Sequence, residues 1–215
     1  MRLRTLFLGG FGFVLLTTLY TVAMYARLPE RIATHWNIHG EPDQYSPKFW
    51  GVAFGPLMQL GMLLLFLVLP SISPERARLE ASGDVYGKVC LTVVAFMGFV
   101  QVLIIQSALG MQDTAKWIIA GVLVLFGYIG NIITKARRNY FMGIRTPWTL
   151  ESEDVWNRTH RLGGRLMVLG SIVGLILVFA GAPFWTVMAV ILVSSLWPVV
   201  YSYLIYRRSG RRFGL

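Results

Sequence analysis

The chain has 215 residues, 55% of them hydrophobic and 14% charged, with a net charge of +10 and a mean hydropathy of +0.60. A soluble domain is about a quarter charged, so this chain lacks the polar surface to stay in water, and its hydrophobicity excludes disorder. In so apolar a chain, 20 Lys and Arg against 10 Asp and Glu report membrane orientation and contact with anionic lipid rather than direct nucleic-acid binding.

Six apolar runs follow in chain order, near residues 5–26, 52–70, 89–109, 116–134, 166–182 and 184–206. Each is long enough for about 30 Å of hydrocarbon at 1.5 Å per residue. Their centres hold no Asp, Glu, Lys, Arg or His. That fits the rule that one Arg at a helix centre costs about 2.5–3.5 kcal/mol. The expected fold class is an all-α integral membrane bundle of six transmembrane helices. Arg2 and Arg4 precede the first run as in a signal peptide, but its length and the poor cleavage site Ala23-Met24-Tyr25-Ala26 favour a retained helix. A cytoplasmic N-terminus places 16 basic residues inside, including Arg2, Arg4, Arg76, Arg78, Arg211 and Arg212. It leaves Arg27, Arg31, Lys48 and Lys116 outside. The orientation expected is N-in and C-in. Cys90 has no partner for an internal disulfide and is expected to be buried.

Two connections are longer than a bundle needs, residues 27–51 outside and 135–165 inside. Loops of this length are usually functional or disordered, and their Trp, Tyr, His and Pro content is unlike disorder. In the outer one, Asn37 and Gly40 suit a turn that Pro42-Asp43 extends, gathering His35, Asn37, His39, Glu41 and Asp43. Three readings stand: an ordered loop held by hydrogen bonds, a surface that contacts a ligand, or a metal site built on His35 and His39 with an acidic residue. In the inner connection Pro147 disfavours helix at Thr146. Ser152 is a good N-cap, Glu153 and Asp154 suit the first turn, and Gly163-Gly164 can end the helix. A short helix lying at the cytoplasmic interface is expected from about Glu153 to Leu162, with Trp156 and His160 on one face. It either grips anionic lipid or docks a cytoplasmic partner through Arg145, Trp148, Trp156, Arg158 and His160.

The outer residues Leu28, Pro29, Ile32, His35, Asn37, Gly40, Pro42, Asp43 and Lys48 resemble the pattern of a domain of unknown function, number 1648, found at the start of bacterial membrane proteins. Ala33 departs from it where proline is common. The inner residues Arg138, Asn139, Gly143 to Leu150, Ser152, Trp156, Thr159, His160, Arg161 and Gly164 resemble the signature of the SdpI family of immunity proteins. The resemblance divides the chain into a first region, 1–70, and an SdpI-like region, 71–215. It implies a bacterial plasma-membrane protein that resists a secreted, membrane-active peptide toxin without catalysis or cofactor. It further implies a receptor that holds a winged-helix repressor at the membrane. Carried over, His35, Asn37, Gly40, Asp43 and Lys48 would meet the toxin. Asn139, Arg145, Thr146, Pro147, Trp148, Trp156, Thr159, His160 and Arg161 would form the partner surface. Two alternatives rest on the residues alone. An embedded enzyme would use His35, Asp43 and Glu30 or Arg145, Asp154 and His160. A small transporter would use the kinks at Gly55-Pro56 and Trp197-Pro198.

Overall fold

The computed structural model of the chain describes residues 3–72 and 83–209. Among the basic residues that set the expected orientation, Arg2, Arg76, Arg78, Arg211 and Arg212 lie outside the described residues. Helix α1 spans Leu3–Met24, followed by strands β1, Arg31–Trp36, and β2, Pro42–Pro47. Helices α2, Lys48–Val68, α3, Gly83–Ala108, and α4, Thr114–Ile133, come next. A one-turn helix α5, Pro147–Glu151, leads into α6, Glu153–Phe179, and α7, Phe184–Arg208. All but α5 are long and apolar enough to cross a membrane, so the described residues contain six helices fit to span it, as expected. Their outward side chains are large and apolar, with Leu16, Val22, Phe54, Ile176 and Val193 each more than half exposed. Such a surface suits hydrocarbon rather than water.

Two expectations need correction. The outer connection adds an antiparallel hairpin to a fold expected to be all helical. Its register pairs Arg31 with Pro47, Ile32 with Ser46 and Ala33 with Tyr45, then shifts so that His35 faces Gln44. β-branched Ile32 and Thr34 favour extended backbone, and Gly40, at φ 81°, closes the turn. The second correction concerns residues 153–162. The helix does not lie apart and stop at Gly163-Gly164; it continues unbroken as α6 to Phe179. Those glycines are buried packing positions rather than a stop. A Cβ at Gly164 would lie 2.4 Å from the carbonyl oxygen of Gly130 on α4, so a side chain there would push the two backbones apart.

The described residues form two compact units. One contains residues 3–69 with Gly87–Leu125; the other contains residues 126–209 with the stretches either side of residues 73–82. Inside the first unit, Leu28, Ile32, Val52 and Ile105 pack together at the base of the hairpin. Deeper, Pro56 lies inside α2. It has no N–H, so the carbonyl of Val52 loses its helical partner. Gln101 Nε2 on α3 takes that place, donating to the carbonyls of Gly51 at 2.9 Å and Val52 at 3.3 Å. The missing side chain of Gly55 makes the room, since a Cβ there would meet Gln101 Oε1 at 2.2 Å. Gln59 on α2 returns the contact, donating to the carbonyl of Val94 on α3 at 2.9 Å. Cys90 is buried at 1% exposure, as expected.

Candidate functional site

Two polar constructions stand at the ends of these helices. The first is the hairpin. Asn37 organises its tip: Oδ1 accepts from the amides of His39 at 2.9 Å and Glu41 at 3.1 Å, while Nδ2 donates to the Glu41 carboxylate at 3.1 Å. One rung inward, His35 Nδ1 lies 2.5 Å from Asp43 Oδ1 across the strands. Donation from Nδ1 to the carboxylate orients the ring and leaves Nε2 as its free nitrogen. Both side chains are open to solvent, at 56% and 40% exposure. The hairpin thus brings His35, Asn37, Gly40 and Asp43 together, whereas Lys48 stands at the foot of β2, 3.9 Å from Glu30. Among the described residues, no group of three His, Cys, Asp or Glu side chains is placed to hold a metal ion. His35 is committed to Asp43, and the backbone of His39 to Asn37.

Below the next rung, where the hydroxyls of Thr34 and Ser46 stand 3.4 Å apart, a cleft of about 670 Å³ opens between α2 and α3. Its walls include Trp50, Phe54, Met58, Phe96 and Met97, and Gln101 is the polar residue within the helices that lines it. This cleft has no sequence signal. Its lining comes from residues up to 70 positions apart that no local pattern connects.

The second construction is the connection between α4 and α6. Asn139, buried, accepts from the amides of Phe141 and Met142 at 2.8 Å each and donates to the carbonyl of Arg137 at 2.8 Å. Arg138 reaches the last carbonyls of α5, donating to Leu150 and, at 3.0 Å, to Glu151. Thr146 is the N-cap of α5, Pro147 occupies its first turn, and Thr149 completes a reciprocal capping box,. Trp148 donates its indole N–H to Ser202 on α7, and Tyr206 donates to the Glu151 carboxylate at 2.6 Å. Arg145 donates to the carbonyl of Tyr140 at 2.6 Å.

Helix α6 holds this connection down through two fully buried rings stacked 4.0 Å apart, Trp156 and His160. Trp156 Nε1 donates to the carbonyl of Ala136 at 2.9 Å. His160 Nδ1 donates to the carbonyl of Trp156 at 2.8 Å, and Nε2 accepts from the amide of Ile144 at 3.0 Å. That pattern requires a neutral ring protonated at Nδ1. Gly143 lies against it at φ 97°, and a Cβ there would sit 2.2 Å from His160 Nε2.

The residues expected to form one partner surface therefore divide. Asn139, Trp156, Thr159 and His160 are buried and act as framework, which corrects the expectation that Trp156 and His160 are docking anchors. Thr146 and Trp148 are half-buried, while Arg145, Pro147, Arg158 and Arg161 are exposed. Arg158 also pairs with Asp154 at 3.7 Å. Sequence reasoning missed the parts played by Arg138, whose partners are backbone carbonyls, and by Thr149, whose hydroxyl accepts from the Thr146 amide and donates to the Ile144 carbonyl.

Comparison with known proteins matches both constructions. Residues 135–202, which include the clipped connection, match the model of the SdpI/YfhL protein family. Residues 12–60, which include the hairpin, match a domain of unknown function, DUF1648. The chain is 26% identical over 189 residues to the immunity protein SdpI of Bacillus subtilis strain 168, covering 85% of this chain and 86% of that protein. No solved structure matches it. With six helices fit to cross the bilayer among the described residues and similarity to the B. subtilis immunity protein along nearly its whole length, it is a multi-pass plasma-membrane protein. The resemblance read from its loops thus holds at both: residues 12–60 match DUF1648 and residues 135–202 match the SdpI/YfhL family.

Proposed function

We propose that this is a non-enzymatic membrane immunity protein that protects its cell from a secreted, membrane-active peptide toxin. The name of the B. subtilis relative supports immunity. The observation that carries the toxin contact is the position of the apolar cleft directly under the polar hairpin. A peptide that inserts from the water phase has a polar surface and an apolar one, and here the two matching surfaces adjoin. His35, Asn37, Gly40 and Asp43 take the polar part, and Trp50, Phe54 and Phe96 line the path of the apolar part. The ratio of 16 basic residues to four supports a hairpin outside and a clipped connection in the cytoplasm. There the exposed Arg145, Arg158 and Arg161 offer a cationic surface to a winged-helix repressor held at the membrane.

The test is survival of toxin-sensitive cells expressing the protein. Cells with the wild-type chain survive a dose of family toxin that kills cells without it. His35→Ala and Phe54→Ala variants, inserted to the same level, survive less. Survival with the wild type no better than without it overturns the proposal.

A further inference from the structure

On the α1 side of α2, separate from the cleft under the hairpin, lies a second slot of about 550 Å³. Its walls are apolar, running from Val14 to Val22 on α1 with Tyr25 just past its end, and from Phe49 to Leu60 on α2, with Ala53 and Pro56 along the way. Eleven helical residues span about 16 Å. That is the depth of one leaflet in a hydrocarbon core about 30 Å thick. At the end marked by Tyr25 and Phe49 sits a covered cation. Lys48 is only 14% exposed, and its Nζ lies 4.8 Å over the centre of the Tyr25 ring. The nearest carboxylate among the described residues, Glu30, stands 3.9 Å away with its side chain 93% exposed. A charge-assisted hydrogen bond closes at about 2.7–2.9 Å, so this ion pair leaves the ammonium protons without a close anion.

We propose that this slot is a phospholipid site: one acyl chain lies between α1 and α2, and the phosphate of an anionic headgroup accepts from Lys48 above the Tyr25 ring. Three features converge on that occupant. The walls have a length suited to one chain, the walls are apolar, and the covered Lys48 lies at the end where a headgroup would stand. A bare anion would leave the apolar walls uncovered. The assignment does not depend on the immunity reading, because it concerns the resident lipid and is read without toxin.

Native mass spectrometry of the delipidated full-length protein, titrated with dioleoyl phosphatidylglycerol and with dioleoylglycerol, tests it. The wild type binds one phosphatidylglycerol in preference to dioleoylglycerol. Lys48→Gln weakens phosphatidylglycerol about fivefold, the effect of one cation at headgroup level, and leaves dioleoylglycerol unchanged; Lys48→Arg keeps the preference. Glu30→Gln, which removes the competing carboxylate, tightens phosphatidylglycerol. Ala53→Phe fills the slot and weakens both lipids. Equal binding of the two lipids by the wild type, an unchanged affinity in Lys48→Gln, or lipid binding undiminished in Ala53→Phe overturns the proposal.

Discussion

At His160 each ring nitrogen has a separate task, one holding the helix that carries it and the other holding a loop sixteen residues earlier. Gly143 makes the second contact possible, because only a residue without Cβ fits both its φ and its distance from the ring. Gly143→Ala is therefore expected to destabilise by more than about 2 kcal/mol: left-handed backbone alone costs an L-residue roughly 1–2 kcal/mol, and the ring must also move. Thermal melting in detergent measures the loss, and faster tryptic cleavage at Arg137, Arg138 or Arg145 locates it. Trp156→Phe keeps most of the packing but orphans the buried carbonyl of Ala136, at a cost of about 1–3 kcal/mol. The exposed His35–Asp43 pair behaves differently. Solvent-exposed ion pairs contribute about 0–1 kcal/mol, so Asp43→Asn should leave melting almost unchanged while lowering survival under toxin. The sequence made the Trp156–His160 face legible through i, i+4 spacing. It could not show that the face points inward, because burial depends on where Ala136 and Ile144 return.

For the helices, the pairing of Pro56 with Gln101 is the clearest case of a defect on one element repaired from another. Gln101→Leu leaves the Val52 carbonyl without a partner inside the membrane and should cost about 1–2 kcal/mol, the scale of hydrogen bonds between membrane helices. Pro56→Ala restores the backbone donor. In that background the penalty of Gln101→Leu should fall by at least half; equal penalties in the two backgrounds would show that the glutamine does not compensate for the proline. The missing backbone donor was readable from Pro56, but its repair was not, since Gln101 lies 45 positions along the chain. Element ends show the same division. Ser152 was legible as an N-cap and accepts from the Val155 amide at 3.4 Å. Gly163-Gly164, by contrast, reads equally as a helix stop and as a seam, and only the approach of Gly130 decides for the seam. The hairpin was missed because its strands are six residues each and interrupted by a register shift, too short for an alternating pattern to stand out.

Across the whole molecule, hydropathy located all six spans because each helix contains a stretch of 18 residues that is predominantly apolar, with no more than two charged side chains. Orientation rests on charge rather than on shape. The account places the hairpin outside, where a secreted peptide arrives, and the clipped connection inside, where a repressor would be found. Cysteine labelling tests this directly, since the native Cys90 is 1% exposed and contributes little background. In intact cells, a membrane-impermeant maleimide should label Glu41→Cys at once and Arg161→Cys only after the membrane is permeabilised. Labelling of both positions in intact cells, or of neither until permeabilisation, would contradict the account.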